Sequence, residues 1–249
     1  MKRAILCLLL LSGSAAAADR QSGYLDMGLE LRAMQDDDAA NPGMLWVLEG
    51  ERLWRRADGA SGKSCADCHG EIGGMAGVAA RYPAFSTTLK RPANLAQRIN
   101  QSRTIDQGAA ALAPESRDLL ALEAAIARQS RGLPITPPVD VRLAPHLTAG
   151  AALFAQRQGQ LNLSCANCHV DNAGGKLAGV TLPQGQATAY PVYRLEWQSL
   201  GSLQRRLRNC LVGMRAEPYA FDAPEYVNLE LFLMQRAAGM SMEAPGVRP

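Results

Sequence analysis

The sequence has few aromatic residues, few histidines and almost no excess of charge of either sign. Aromatic residues make up 5% of the 249 residues, and only three histidines are present. Beyond residues 1–18, no segment stays apolar for the roughly 20 residues that a membrane-spanning helix requires, so we expect no membrane span. The remaining chain has 24 basic residues (26 minus Lys2 and Arg3) and 23 acidic residues. This near-neutral balance argues against nucleic acid as a partner.

The first 18 residues have the pattern of a secretory signal peptide. Lys2 and Arg3 precede an apolar run, and four alanines follow before Asp19. We expect cleavage near Ala18 and export of the mature chain. Cleavage removes Cys7 and leaves five of the six cysteines.

Four of those five cysteines belong to a pentapeptide that occurs twice. The copies are Cys65 to His69, with Cys68 between, and Cys165 to His169, with Cys168 between. Two thiols at C-x-x-C spacing can bind one haem covalently, and the adjacent histidine can bind its iron. Redox pairs and half zinc sites share C-x-x-C, but the histidine and the second copy favour haem. We predict two covalent haem c groups with His69 and His169 as axial ligands, and therefore a periplasmic protein, because haem c is attached outside the bacterial cytoplasm.

The second half of the chain repeats the first. Gly50 and Gly150 each precede the first cysteine of a motif by fifteen residues, and Tyr82 and Tyr190 each precede a proline. The register changes from 100 to 108, which places an eight-residue insertion before Tyr190. We predict a mainly α fold of two tandem c-type cytochrome domains. The expected bounds are 19–40 for a solvated or partner-binding N-terminal extension, 41–132 for the first domain, 133–145 for a linker and 146–249 for the second domain.

Apolar residues recur at three- and four-residue intervals near the end of each repeat. They are Leu119, Leu122 and Ile126 in the first repeat, and Val227, Leu231 and Met234 in the second. This period predicts a core-facing helix in each domain. His146 lies outside the motifs, just after the proline-rich linker, and we expect it to cap a helix or lie at the surface rather than bind iron.

Cys210 has no partner for an internal disulfide and lies among arginines. The basic neighbours are Arg205, Arg206, Arg208 and Arg215. If the segment is helical, Arg206 lies one turn before Cys210 on the same face. Cationic neighbours stabilise a thiolate and attract small oxyanions. A structural thiol, an intermolecular disulfide, an iron ligand and a reactive group are all compatible with this pattern, as is a solvated basic helix with one buried cysteine.

Segments spread along the chain resemble the SoxA family, the dihaem subunit of the SoxAX cytochrome complex of bacterial thiosulfate oxidation. In the first half they are Gly62–Gly70, Tyr82–Phe85, Asn94–Asn100 and Gln129–Gly132, and in the second half Gly159–Cys165, Tyr190–Arg194, Arg206–Cys210, Arg215–Tyr219 and Pro245–Arg248. The resemblance implies an L-cysteine S-thiosulfotransferase that joins thiosulfate to a cysteine of the carrier protein SoxYZ and releases two electrons through haem. The implied partners are a SoxX-like monohaem cytochrome c, SoxYZ, thiosulfate and a downstream electron-acceptor cytochrome.

The resemblance also implies roles for single residues. The family cysteine that matches Cys210 is the distal ligand of the second haem and carries a persulfide. The arginine that matches Arg206 contacts the sulfur substrate. Arg236 is a further candidate for lining the site, and Arg215 is a candidate only because it is close in sequence.

One position departs from the family pattern. Dihaem members usually have a second ligand cysteine in the first domain, and here Ser102 stands at that position. A serine hydroxyl is a poor iron ligand because it is weakly acidic and has no soft sulfur donor. We therefore expect the first haem to lack thiolate ligation. Its sixth ligand is left open among another side chain, with Met75 nearest in sequence, a water molecule, or none.

Two other functions are compatible with two haem motifs. One is a dihaem electron-transfer cytochrome without sulfur chemistry, and the other is a thiosulfate dehydrogenase that needs no carrier. Arg206 beside a lone Cys210 favours sulfur chemistry over plain electron transfer. A requirement for SoxYZ separates the two enzymes. A dihaem peroxidase gives no reason for a cysteine within an arginine cluster.

Overall fold

The computed structural model describes residues 20–249, which are mainly helical. The predicted signal peptide at 1–18, with Cys7, lies outside the described residues. The helices are α1 Leu29–Asp36, α2 Met44–Arg55, α3 Cys65–His69, α4 Leu95–Ser102, α5 Arg117–Arg128, α6 Ala144–Ala155, α7 Leu203–Gly213 and α8 Pro224–Arg236. The strands are β1 Ala84–Ser86, β2 Arg91–Ala93, β3 Lys176–Leu177, β4 Val180–Thr181, β5 Val192–Arg194, β6 Ser199–Gly201 and β7 Gly246–Arg248. Within 20–249, no helix combines the length and apolar character that crossing a bilayer requires.

Each half of the described chain is built on one pair of packed helices, α2 with α5 and α6 with α8. A glycine allows each close approach. A Cβ on Gly50 would lie 2.0 Å from the Ala121 carbonyl oxygen, and a Cβ on Gly150 would lie 2.1 Å from the Asn228 carbonyl oxygen. This contact is the physical reason for the repeated glycine. The predicted mainly α fold of two tandem cytochrome c domains is confirmed.

The helices expected from apolar periodicity are present in both domains. In α5, Leu119, Leu122 and Ile126 are all buried, and in α8 so are Val227, Leu231 and Met234. Along the chain, a short antiparallel hairpin stands between the paired helices of each domain, β1–β2 in the first domain and β5–β6 in the second. The second domain has a further small hairpin, β3–β4. In the second domain the carboxyl-terminal strand β7 adds to β5 in parallel.

The N-terminal extension, which we expected to be a solvated or partner-binding arm, also makes contacts with the rest of the chain. Asp38 pairs with Arg128 at 2.7 Å and with Arg131 at 2.6 Å, both in the first domain. The Gln35 side chain accepts a hydrogen bond from the Val247 backbone N–H at 2.9 Å, in the second domain. The extension therefore contacts both domains, and one of its acidic residues, Asp38, forms intramolecular ion pairs.

The expected linker also differs from the structure. Helix α6 begins at Ala144, so the last two linker positions and His146 belong to its first turn. His146, which we expected to cap a helix or lie at the surface, is half-buried in α6, and its Nδ1 lies 3.0 Å from Asn228 Oδ1 of α8. Ile135 is buried and exchanges backbone hydrogen bonds with Met240 and Gly239, so the linker packs on the second domain.

Four carboxyl groups surround a cavity of about 100 Å³ between the two domains: Glu115, Glu123, Asp222 and Glu230. Asn94 of the first domain donates a hydrogen bond to Glu230 of the second at 2.9 Å. Burial nonetheless raises the pKa of Glu230 to about 8. Burial, and then repulsion by Glu230, hold the pKa of Glu123 well above its usual range. The interface between the domains therefore favours the neutral forms of these acids.

These raised pKa values predict a loss of stability at alkaline pH. An acid with a raised pKa in the folded state contributes stability only while it is protonated. This contribution is complete below the pKa of the unfolded state and is lost as the pH rises through the pKa of the folded state. For Glu230 the folded-state pKa is about 8. We expect Glu230→Gln to gain at least about 1 kcal/mol over the parent protein near pH 9, roughly 2–4 °C in Tm. Thermal unfolding of the holoprotein near pH 5 and near pH 9 measures this. The exposed Glu217→Gln is the matched control, and equal alkaline losses in all three proteins would contradict the prediction.

Candidate functional site

A cavity of about 490 Å³ in the second domain brings together five of the seven site residues predicted for that domain. Cys165, Cys168, His169, Arg206 and Cys210 all line it. Pockets for cofactors and other small molecules typically measure about 300–1,000 Å³, so this cavity is of suitable size. The motif that predicts haem attachment and the lone cysteine that has no disulfide partner thus lie around one cavity.

The local sequence begins the haem motif with a reciprocal cap. The Ser164 backbone N–H donates to Asn167 Oδ1 at 3.0 Å, and the Asn167 backbone N–H donates to Ser164 Oγ at 3.2 Å. The π-helical turn Asn167–Asp171 then carries Cys168 and His169. Burial, followed by the nearby Cys210, raises the pKa of Cys165 to about 11. Cys165 and Cys210 line the same cavity.

His169 is held in one orientation by the segment that follows the motif. Its Nδ1 lies 2.7 Å from the Pro183 carbonyl oxygen. Because a carbonyl oxygen can only accept, Nδ1 carries the proton and donates a hydrogen bond to it. This tautomer leaves the Nε2 lone pair available to bind a metal ion. Burial lowers the pKa of His169, which also favours the neutral, ligating imidazole.

Helix α7 carries two more residues of the cavity lining, Arg206 and Cys210. Its first turn is capped by Ser202, whose Oγ accepts a hydrogen bond from the Arg205 backbone N–H at 3.1 Å. Burial lowers the pKa of Arg206, but the thiolate of Cys210 and the phenol of Tyr190 outweigh this effect and raise it. The Arg206 guanidinium makes no hydrogen bond or ion pair with any residue in 20–249, so its five donors are available to a ligand.

The cavity is also lined by two arginines that sequence reasoning did not single out as site residues. Arg194, on β5, pairs with Glu196 at 2.9 Å. Arg248, near the carboxyl terminus, pairs with Glu243 at 2.5 Å. Both belong to segments that match the SoxA pattern, and this match is the sequence signal that could have identified them. Their distance in sequence from Cys210 concealed their proximity to it in space.

The structure does not place Arg215 or Arg236 in the cavity lining. Arg215 is exposed and follows the end of α7 with a left-handed backbone conformation, φ 56°. Arg236 lies at the end of α8, where its guanidinium stacks over Phe154 at 4.9 Å and donates to the Gln184 carbonyl oxygen at 3.2 Å. Both arginines therefore lie outside the set of residues that line the cavity with Cys210.

The first-domain motif forms helix α3, which is more exposed than its counterpart. Cys68 and His69 are both exposed. Trp54 donates to the Gly70 carbonyl oxygen at 2.9 Å, and its ring lies 5.7 Å from the His69 ring. Trp54 thus supports the end of α3. The helix carries Cys65, Cys68 and His69 at the C-x-x-C-H spacing that covalent haem attachment requires.

Ser102 lies where the first domain departs from the second. Helix α7 continues through Cys210 to Gly213, whereas α4 ends at Ser102 and passes into the π-helical turn Arg103–Gln107. Arg103 is buried and pairs with Asp58 at 2.9 Å. Met75 is half-buried and packs against the hydrophobic core.

These differences predict unequal coordination of two haems. A pyridine haemochrome assay should return two haems per chain. Low-temperature electron paramagnetic resonance (EPR) of the oxidised protein should show a single thiolate-ligated low-spin haem, because Ser102 cannot supply the sulfur donor that Cys210 supplies. The thiolate signal should vanish in Cys210→Ala. Two thiolate signals in the parent protein would contradict this prediction.

Comparison with known proteins decides the family. A family model described as the SoxA/TsdA cytochrome c domain matches residues 49–135 and again 149–242. The chain belongs to the SoxA family. The L-cysteine S-thiosulfotransferase subunit SoxA of Rhodovulum sulfidophilum is 36% identical to it over 94% of this chain and 83% of that protein. The same subunit of Pseudaminobacter salicylatoxidans is 38% identical over 91% of this chain and 80% of that protein.

A solved SoxA-type structure has the same fold. The crystal structure of SoxXA from Paracoccus pantotrophus matches with a TM-score of 0.89 and 32% identity, covering 92% of this chain and 87% of that one. The two family-model matches correspond to the two halves built on α2–α5 and α6–α8. A SoxA cytochrome c domain holds haem c covalently, and the cavity with its paired thiols and singly hydrogen-bonded His169 fits that group.

Proposed function

We propose that the chain catalyses the oxidative conjugation of thiosulfate to a cysteine of a SoxYZ-type carrier protein. The observation that carries this proposal is the placement of Arg206 and Cys210 on one cavity with His169. A half-buried guanidinium without a partner among residues 20–249 is suited to bind a small oxyanion through paired charged hydrogen bonds. The relatives named L-cysteine S-thiosulfotransferase subunit SoxA support the same activity.

The proposed reaction balances in atoms and electrons. One S–S bond forms between the carrier cysteine and the outer sulfur of thiosulfate. The carrier S–H bond breaks, its proton goes to solvent, and two electrons leave. Arg206 binds the sulfonate end of thiosulfate. The terminal sulfur of the Cys210 persulfide first bonds to the outer sulfur of thiosulfate as the two electrons leave. The carrier thiol then attacks that outer sulfur, and the persulfide leaves as it was.

We propose two covalent haem c groups as the cofactors. Cys65 and Cys68 hold the first, and Cys165 and Cys168 hold the second. His69 and His169 would each bind the iron of the haem held by their motif, and Cys210 would bind the iron of the second haem. Bound haem accepts electrons one at a time, which lets a two-electron oxidation proceed through single-electron carriers.

We also propose a periplasmic assembly. The signal-like residues 1–18 support export, and the match to SoxXA supports a SoxX-like monohaem cytochrome c as a bound partner. The electrons then pass to a downstream acceptor cytochrome.

A carrier-dependence assay tests the proposal. The oxidised holoprotein, with its SoxX-like partner, is mixed with thiosulfate, and haem reduction is followed by absorbance with and without SoxYZ. We expect reduction at a catalytically useful rate only when the carrier is present. Equal rates without the carrier, with tetrathionate as product, would instead establish a thiosulfate dehydrogenase. Absence of reduction under both conditions would leave electron transfer as the function.

A further inference from the structure

The inserted segment of the second domain holds His169 from two directions. The Pro183 carbonyl oxygen accepts the hydrogen bond from His169 Nδ1 at 2.7 Å. Gly185 packs directly on the imidazole, since a Cβ there would lie 3.0 Å from His169 Cγ. We call residues 182–186 the His169 loop. Its conformation determines how the imidazole is oriented.

Gln184 lies between the two loop residues that contact His169, and other parts of the chain hold it. Arg236, at the end of α8, donates to the Gln184 carbonyl oxygen at 3.2 Å. From the N-terminal extension, the Gln21 backbone N–H donates to Gln184 Oε1 at 2.8 Å. The loop, which has no regular secondary structure, is therefore fixed to a helix and to the extension.

Arg236 is itself rigidly placed. Its guanidinium stacks over Phe154 at 4.9 Å and over Phe232 at 6.0 Å. Arg20 donates to the Arg236 carbonyl oxygen at 3.1 Å. The contacts with two aromatic rings and the hydrogen bond to its own carbonyl oxygen hold Arg236 in place, with one donor directed at the Gln184 carbonyl oxygen.

The first domain does not repeat this arrangement. At the register of 107, Gln129 stands where the second domain has Arg236. Gln129 Nε2 donates to Ala125 of its own helix at 3.1 Å. The first domain is also eight residues shorter between its motif and Tyr82, and His69 is exposed. Fixation of the proximal histidine through an arginine is specific to the second domain.

We propose that Arg236 is a positioning residue for the second haem: it fixes the His169 loop and thereby orients His169, and it does not contact the sulfur substrate. The proposal rests on His169 as iron ligand, which belongs to the proposed function. A well-formed Nδ1–H···O bond makes the imidazole a stronger electron donor and favours iron(III) over iron(II). Loosening the loop therefore raises the reduction potential of the second haem.

The test compares Arg236→Met, which keeps the volume and removes the donors, with the parent holoprotein. Redox titration should show the potential of the second haem raised by about 30–60 mV, a threefold to tenfold change in the one-electron equilibrium. The KM for thiosulfate should stay within about twofold, because Arg206 and not Arg236 lies in the cavity lining. Arg157→Met, at an exposed arginine of the same domain, is the matched control and should leave the potential unchanged.

Arg236→Lys keeps the charge but loses the fork and the flat stacking surface, so it should raise the potential by a smaller amount. If Arg236→Met fails to retain the second haem, the lysine variant decides by the same criterion. An unchanged potential with a raised KM for thiosulfate would overturn the proposal and place Arg236 at the substrate. An unchanged potential with only a lowered Tm would overturn it in favour of a purely structural role. The titration needs no turnover, so its outcome is separate from that of the carrier assay.

Discussion

Replacing Cys210 by alanine should abolish thiosulfate-dependent turnover while both haems stay attached. Three cysteines line the cavity, and two of them bind haem covalently in our proposal. Cys210 is therefore the thiol in the cavity lining that is left for sulfur chemistry. Removing it takes away both the distal iron ligand and the atom at which sulfur is transferred. We expect kcat to fall by at least about 10³-fold, in the range seen when a nucleophile is removed. Initial rates with SoxYZ and a pyridine haemochrome assay measure the two quantities.

The control for Cys210→Ala is Val212→Ala, because Val212 is exposed on the same helix. It should retain full activity and both haems. If Cys210→Ala kept the activity of the parent protein, sulfur chemistry at this residue would be refuted. Loss of the second haem in the variant would show that Cys210 is needed for cofactor retention, and the EPR prediction would then have to be tested on the parent protein alone.

Replacing Arg206 by alanine should mainly weaken the binding of thiosulfate. Hydrogen bonds to charged groups contribute about 1.5–3 kcal/mol, so we expect kcat/KM for thiosulfate to fall by about 10- to 150-fold. Arg206→Lys should recover only part of the loss, because lysine keeps the charge but cannot form two parallel hydrogen bonds. Steady-state kinetics with thiosulfate and SoxYZ measure both variants.

Arg157→Ala provides the matched control for Arg206, because Arg157 is exposed and its side chain donates only to the nearby Asn162 carbonyl oxygen. We expect it to leave kcat/KM unchanged. Equal losses in the two alanine variants would point to a general effect of net charge. A full rescue by Arg206→Lys would show that charge alone, without the fork geometry, accounts for binding.

The repeat made much of the fold predictable from the sequence. Periodic apolar residues such as Leu122 and Leu231 predicted α5 and α8, because a helix must bury one face. The spacing of Arg206 and Cys210 predicted that they share a helix face, and α7 has both of them on the cavity. These predictions depend on local spacing alone.

Features that depend on contacts between distant segments were not predictable. The acidic extension looked solvated because the partners of Asp38 lie about ninety residues away, on α5 and just beyond it. Arg194 and Arg248 join the cavity only because β5 and β7 pair in parallel. The eight-residue insertion was visible in the sequence, but its contact with His169 required the folded chain.

The most direct test of the account is the intact mass of SoxYZ after incubation with thiosulfate and the oxidised holoprotein with its SoxX-like partner. The account predicts that the carrier gains one thiosulfate through a reductant-labile S–S bond. The gain should depend on Cys210 and should be accompanied by two electrons delivered to haem per carrier. An unmodified carrier together with full haem reduction by thiosulfate would contradict the account.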